Sequence, residues 1–337
     1  MCAISGAWML IEKPKIVVGD PVDEEFFRLM EGKAEVIRAY DVSDNEFASL
    51  LKDADIVVVR SRRRITRALI DCARCLKVVA RAGVGLDNVD VDYAKSKGII
   101  VVPVAEASIE AVAELTIGFM ISLSRKIPML SSKMRNGLWC KNEGLGFELK
   151  DKTLGIIGLG RIGSRVAELA KAFGMRILAY DPYVDRNVAS KMDVEFVDEL
   201  SDLLRVSDYV SIHAPLTEET YHMIGEDELK LMKPTAFLIN TARGSIIDEK
   251  ALAKALKEGW IAGAALDVFE NEPLENSDLA KLDNVILTPH IGGSTVEAQK
   301  SIARILAEKI LSYIESSTMN EADEPIVKHS CSNSSNA

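Results

Sequence analysis

An α/β architecture of two doubly wound domains, each on a parallel sheet, is predicted by three features of this 337-residue chain. Short β-branched runs alternate with helical stretches along most of its length, the pattern of buried parallel strands joined by crossover helices. The alternation comes in two series, with one long apolar helix between them. A chain of this length also exceeds what a single core usually fills.

The first series, KIVVGD, AEVIRAY, DIVVVRS, LKVVARAG and GIIVVPV, runs from Lys15 to about Val104. A helix over Ser108 to Arg125 and a helical stretch from Pro128 to Gly137 lead to the second series. That series reads TLGIIG, MRILAYD, DYVSIHAP, TAFLINTAR, GAALDVF and NVILTPH, the six strands a dinucleotide-binding doubly wound sheet requires. After His290 one amphipathic helix extends to Ser316 and is expected to pack back on the first domain. The expected layout is therefore a discontinuous domain, 1–104 with 291–316, around a domain at 105–290. The Ser- and Asn-rich stretch 317–337 buries too little apolar surface to order itself and is expected to be a disordered tail.

Composition removes several function classes. With 51 acidic against 41 basic residues, the net charge of -10 gives no positive field for nucleic acid or an anionic membrane. The five cysteines are odd in number and scattered, unlike a disulfide framework, which points to a reducing, cytoplasmic setting. Cys72 and Cys75 fall on one helical face without a second ligand pair, so no metal site is expected. No signal peptide is recognisable. The most apolar stretch, Ala111 to Ser124, is shorter than a bilayer span and carries Glu114, as a buried helix does.

The chemistry begins at GLGRIG, Gly158 to Gly163, which follows the strand LGII and opens a helix. Gly158 allows the tight turn, Gly160 lets the backbone approach a pyrophosphate, and Gly163 lets helix and strand close on each other. The N–H groups at the helix start then face the diphosphate. Asp181 ends the next strand, where a carboxylate accepts from ribose hydroxyls and repels a 2′-phosphate, favouring NAD over NADP. Three further residues follow later strands. Arg243 offers a fork for a substrate carboxylate or carbonyl. His290 has the side chain suited to exchanging a proton with a substrate oxygen near neutral pH. Glu272, in VFENEPL, is placed to bond the other ring nitrogen of that histidine. All three lie just past strand carboxyl ends, where open α/β sheets bind ligands.

Six motifs in order, RAGVGLDNVD, LGIIGLGRIG, HAPLTEET, LINTARGSIIDEKAL, GAALDVFENEP and TPHIGGST, resemble the D-isomer-specific 2-hydroxyacid dehydrogenase family over roughly Lys15 to Ser316. The resemblance implies a Rossmann NAD-binding domain and a flavodoxin-like substrate domain, with Arg243, Glu272 and His290 as the catalytic residues. Arg161 and Ile162 would lie at the pyrophosphate, and His213, Ala214, Pro215 and Thr220 would line the adenosine side. Thr241, Ala242, Arg243, Asp267, His290, Gly292 and Gly293 would line the nicotinamide side. Asp267 is suited to accept from the nicotinamide amide. Backbone N–H groups of Val84 and Gly85 would clamp the substrate carboxylate, beside Arg60, Ser61, Arg243 and His290.

The basic cluster Arg60, Arg62, Arg63 and Arg64 suits a phosphorylated substrate, although the last three fit a solvated helix start equally well. The expected reaction is NAD-linked oxidation of 3-phospho-D-glycerate to 3-phosphohydroxypyruvate, the first step of serine biosynthesis, without an appended regulatory domain. The alternative is reduction of glyoxylate or hydroxypyruvate. Where phosphoglycerate-oxidising members carry an Asn-containing loop, this chain has Ala105, Glu106 and Ala107, which alters a contact to the substrate's far end. A different class, an NAD-sensing co-repressor-like binding protein, can keep the same three catalytic residues but here has no basic DNA-binding module. The apolar helix at 111–124 is expected to serve a homodimer.

Overall fold

The computed structural model describes residues 13–185 and 192–323. Two compact units are present, one running through Ala107 and resuming at Gln299, the other Ser108–Ala298.

The first unit holds five parallel strands: β1 (Lys15–Val18), β2 (Glu35–Arg38), β3 (Ile56–Val59), β4 (Val78–Arg81) and β5 (Ile100–Pro103). Their order is β2-β1-β3-β4-β5, the flavodoxin-like arrangement. Successive side chains of a strand point to opposite faces, so IVVV in β3 feeds two cores. Ile56 and Val58 join Ile16, Val18 and the helix residues Phe26 and Met30 on one face. Val57 and Val59 join Val17, Phe47, Leu51 and Ile70 on the other. The helices are α1 (Glu24–Met30), α2 (Asp44–Leu51), α3 (Arg67–Cys72) and α4 (Val91–Ser96). A reciprocal Ser43–Glu46 capping box starts α2 by satisfying N–H groups that the first turn leaves open. Since α3 ends at Cys72, Cys75 lies beyond it rather than one turn along the same face.

Seven parallel strands make the second sheet: β6 (Thr153–Ile157), β7 (Arg176–Tyr180), β8 (Glu195–Phe196), β9 (Tyr209–Ile212), β10 (Phe237–Asn240), β11 (Gly263–Leu266) and β12 (Val285–Leu287). The order β12-β11-β10-β9-β6-β7-β8 reverses direction between β9 and β6, as in a dinucleotide-binding sheet. Six strands were expected. The extra one, β8, is a two-residue edge strand with one exposed position, too short to leave a periodic signal.

On one face of this sheet lie α5 (Ile109–Ser124) and α7 (Arg161–Ala172), with α6 (Ile127–Arg135) following α5. On the other lie α8 (Leu200–Val206), α9 (Glu226–Leu231) and α10 (Glu249–Glu258). The apolar character of α5, expected to serve a partner copy, is used inside its own unit. Val112, Ala113, Ile117, Phe119, Met120 and Leu123 are buried, most of them in one cluster with Ile156, Val166 and Ile239.

The last helix, α11 (Val296–Asp323), corrects two boundaries. It runs past Ser316, so 317–323 are helical rather than tail, because the helical pattern of SYIESSTM has no breaker. Residues 324–337 lie outside the described residues. Ile302, Ala303, Leu306, Ala307 and Ile310 complete the first unit's core. The segment 291–298 belongs with the second unit, since the N–H groups of Ile291 and Gly292 are tied to Asp267. Among the described residues no helix is long and apolar enough to cross a membrane.

Candidate active site

The carboxyl ends of β10, β11 and β12 bring the three expected catalytic residues into one part of the second unit. Glu272 Oε2 lies 2.8 Å from His290 Nδ1. An ionised carboxylate only accepts, so Nδ1 carries the proton and donates, which leaves Nε2 as the working nitrogen. The other carboxylate oxygen, Oε1, accepts the Phe269 N–H at 3.1 Å. Burial pushes the Glu272 carboxyl up, but the bond and charge of His290, the Phe269 N–H and the Arg243 charge outweigh it, holding the group below the usual range.

Arg243 follows β10 in a tight turn that Asn240 builds. That residue is fully buried; its Nδ2 donates to the Arg243 carbonyl at 2.9 Å, and its Oδ1 accepts the Ala242 N–H at 3.0 Å. The next residue, Gly244, lies so close to the β11 loop that a Cβ would stand 1.9 Å from the Phe269 carbonyl carbon. Nothing larger than glycine fits between the loops that carry Arg243 and Glu272.

Asp267 has partners other than the cofactor group expected for it. At 1% exposure, its Oδ1 accepts the Thr288 hydroxyl at 2.6 Å and the Ile291 N–H at 2.8 Å, and its Oδ2 accepts the Gly292 N–H at 2.7 Å. These bonds bracket His290, whose φ of 54° is left-handed and requires such restraint in a non-glycine residue. Thr241 pairs its hydroxyl with Thr116 of α5 at 3.2 Å, and Gly293 approaches Ser108.

The turn after β6 fits a dinucleotide. Gly158 has φ 90°, and a Cβ there would lie 2.7 Å from the Ala214 nitrogen, so the turn closes directly on the HAPLTEET loop. At Gly160 a Cβ would meet nothing within 4 Å, which leaves the start of α7 open to close approach. No side chain caps α7, so Arg161, Ile162 and Gly163 present N–H groups suited to phosphate oxygens. Asp181 ends β7 and accepts the Leu159 N–H at 2.8 Å, placing its carboxylate against the same turn. The HAPLTEET loop is closed by Thr220, whose hydroxyl donates to the Pro215 carbonyl at 2.7 Å. His213 Nε2 lies 2.9 Å from the Ser211 hydroxyl, and burial pushes the ring down to about 3. It is neutral at pH 7, consistent with a wall of the cofactor site and unsuited to acid catalysis.

In the first unit, the expected substrate residues lie at strand ends of their own sheet. The turn after β3 is held by Asp20, 1% exposed, whose Oδ2 accepts the N–H groups of Arg60 at 2.6 Å and Arg63 at 3.2 Å. Asn88 adds donors to the carbonyls of both residues. Arg63 has a structural role: its buried guanidinium pairs with Asp44, donates to the Val42 carbonyl at 2.6 Å and covers the Phe47 ring. Among the described residues, the Arg60 guanidinium makes no hydrogen bond. Burial pushes its pKa down against the opposing charge of Asp20. Ser61, Arg62 and Arg64 are exposed, and Val84, before Gly85, is 39% exposed. Asp20, Asn88 and Asn240 were not singled out from sequence. For Asp20 and Asn240 the usable signal is a polar residue closing an otherwise apolar strand, whereas Asn88 lies in the loop past β4, where no such signal exists.

Residues 117–292 match the family model described as D-isomer specific 2-hydroxyacid dehydrogenase, NAD binding domain. The chain is 50% identical to a D-3-phosphoglycerate dehydrogenase of Methanocaldococcus jannaschii over 88% of its own length and 56% of the relative's. It thus spans about half of that protein. It is 41% identical to a glyoxylate reductase of Thermococcus litoralis over 89% of its length and 94% of the relative's. A solved D-lactate dehydrogenase from Aquifex aeolicus, complexed with NAD and lactic acid, superposes with a TM-score of 0.79 at 32% identity. That match covers 94% of this chain and 100% of the solved one.

Proposed function

Because the chain belongs to the D-isomer-specific 2-hydroxyacid dehydrogenases and carries their NAD-binding domain, we propose that it oxidises 3-phospho-D-glycerate to 3-phosphohydroxypyruvate. The observation carrying the choice of substrate is Arg60, a half-buried cation at the end of β3 whose guanidinium makes no hydrogen bond among the described residues. A half-buried cation whose donors are unused is costly even beside the Asp20 charge, and an anionic group on the substrate would take those donors. The 50% identity to a phosphoglycerate dehydrogenase supports the same choice.

NAD, held by the turn after β6, the start of α7 and Asp181, would supply the acceptor for the substrate hydride. His290 Nε2 takes the hydroxyl proton as that hydride leaves, and Glu272 stabilises the imidazolium through Nδ1. Arg243 binds the developing carbonyl and the carboxylate. In the reductive direction the same proton returns to the substrate oxygen. The Asp181 carboxylate accepts from the ribose.

A second reading, reduction of glyoxylate or hydroxypyruvate, is favoured by identities of 41% to a glyoxylate reductase and 43% to a hydroxypyruvate reductase. Steady-state turnover on phosphohydroxypyruvate, hydroxypyruvate and glyoxylate decides between them. The phosphate reading predicts the highest kcat/KM for the first, and a selective loss of that preference in Arg60→Ala. Equal kcat/KM values, or equal losses, would select the second reading. NAD binding with no turnover on any of the three would instead support a sensor.

The partner we propose is a second copy of this chain. Leu138, Trp139 and Leu145 are exposed, the last two at 79% and 85%. A cavity of about 740 Å³ nearby is lined by Leu123, Met129, Phe147, Phe237 and Val285. One chain thus presents both a protruding apolar edge and an apolar recess, as a two-fold interface needs. Sedimentation should report a dimer that Trp139→Glu weakens.

A further inference from the structure

We infer that Glu249 and Glu270, with His222, form a clasp that holds the Glu272 carboxylate in register with His290, which makes Glu249 and Glu270 positioning residues for proton transfer. The inference rests on the acid/base roles proposed above for His290 and Glu272.

The loop after β11 leaves a fixed point at Asp267 and must deliver Glu272 to His290. Midway, the Glu270 N–H donates to Glu249 Oε1 at 2.6 Å. In return, Glu270 Oε1 accepts the Glu249 N–H at 3.0 Å. Two reciprocal bonds therefore fasten the loop to the first residue of α10. The start of that helix does not need the Glu249 side chain, because Asp248 already accepts from the Lys250 and Ala251 N–H groups. The Glu249 carboxylate turns back to the loop instead. The same fastening presses the Phe269–Glu270 peptide against Gly244, the residue after Arg243. Arg243 and Glu272 are thereby fixed relative to each other as well.

His222 is the third member. Burial, and then the charges of Glu270 and Glu272, push the Glu249 carboxyl up, against the bond from the Glu270 N–H. The two loop carboxylates, Glu270 and Glu272, thus stand beside that of Glu249, and a ring nitrogen of His222 reaches the cluster. Its Nε2 lies 3.1 Å from Glu270 Oε1, the oxygen that also accepts the Glu249 N–H. His222 is itself anchored by its own N–H to the Ser245 carbonyl at 2.8 Å, and its ring stacks on Tyr221. Each loop of the proton-transfer site thus meets a fixed element through a carboxylate: Asp267 for His290, and the Glu249–Glu270 pair for Glu272.

The test compares Glu249→Ala, Glu249→Gln, Glu270→Ala and Glu272→Gln in the full chain. Reduction of hydroxypyruvate is measured across the neutral pH range, and NADH binding by fluorescence. Glu249→Ala removes the acceptor for the loop N–H and should lower kcat about tenfold, with KM and NADH affinity changed less than about twofold. The pH at which reduction falls off should move down, because a wandering carboxylate stabilises the imidazolium less. Glu249→Gln keeps an acceptor oxygen and should restore kcat and the profile. Glu270→Ala should reproduce the Glu249→Ala profile, which covers the case in which one variant misfolds. The clasp is overturned if Glu272→Gln moves the profile while Glu249→Ala and Glu270→Ala do not, or if Glu249→Gln loses as much as Glu249→Ala. If Glu272→Gln leaves the profile in place, the acid/base reading fails and the clasp with it.

Discussion

Two turns in this molecule are built on the same device, a buried aspartate at the end of a parallel strand accepting backbone N–H groups, yet they differ in how completely it is used. Asp267 in the second unit spends both oxygens on three donors, and the loop carrying His290 is clamped on both sides of that residue. Asp20 in the first unit spends one oxygen on two donors, and its buried Oδ1 has no hydrogen-bond partner among the described residues. The side chains follow suit. His290 has Glu272 on one ring nitrogen, whereas the Arg60 guanidinium makes no hydrogen bond among the described residues. A proton-transfer pair must be held in place before the substrate arrives. A cation awaiting an anion gains from having its donors unused.

The sharpest way to break the comparison is to replace each aspartate by asparagine. In Asp267→Asn one oxygen becomes an NH2 group, which turns a donor toward a backbone N–H and leaves it unsatisfied, at a cost of about 1–3 kcal/mol. The greater effect falls on the His290 loop, because an ångström of misplacement costs about 10²-fold in rate. We expect kcat/KM to fall at least that far in steady-state assays. A loss of only a few-fold would mean that the loop holds itself.

A second contrast lies within the basic run after β3. Arg63→Ala removes a buried guanidinium together with its bonds to backbone carbonyls and its cover over Phe47, and should cost about 2–3 kcal/mol in denaturant unfolding. Arg62→Ala and Arg64→Ala, at exposed positions, should change stability by less than about 0.5 kcal/mol. A flat response across all three would remove the structural role assigned to Arg63.

Much of this was legible in the residues, and what was not has physical causes. Runs such as IVVV and FLIN announce doubly buried parallel strands, and GLGRIG with Asp181 announces the phosphate turn, because each depends on local pattern. Arg243, Glu272 and His290 could be placed together because parallel strands deliver their carboxyl ends to one edge. The supporting contacts were not legible. Glu249 is distant in sequence from the loop it holds, and nothing in ENEP separates a clasping Glu270 from a surface one. Sequence suggests Asp267 for the cofactor but cannot show its bonds to Thr288, Ile291 and Gly292. An apolar helix looks alike whether it faces its own sheet or a partner, so sequence cannot show that much of α5 packs within its own unit or that Trp139 and Leu145 are exposed.

The two neighbouring carboxylates Glu272 and Glu249 should also respond to pH with opposite sign. The folded state holds Glu272 below its ordinary range, so its contribution to stability is present above the unfolded value and is lost as pH falls through the folded one. Glu249 is pushed up, so its ionisation opposes folding once pH rises past the unfolded value. Thermal unfolding should therefore show a shallower acid loss in Glu272→Gln than in the parent. Glu249→Gln should gain stability at neutral pH and converge with the parent in acid. Parallel curves for both variants would contradict the assigned shifts.

On activity, the smallest expected effect belongs to Asp20→Asn, and its sign is informative. The amide oxygen can still accept both N–H groups, and the NH2 replaces an oxygen that had no partner, so the fold should lose no more than about 1 kcal/mol. Electrostatics then dominates: the Asp20 charge attracts the Arg60 guanidinium and partly cancels the field it offers to an anion. Removing that charge at effectively constant geometry strengthens the field, so KM for a phosphorylated keto acid should drop, by about two- to threefold given solvent screening. KM for glyoxylate, which has no second anionic group, should move less. If KM for the phosphorylated acid rises instead, Asp20 serves mainly to orient the turn, and the slack assigned to this turn does not exist.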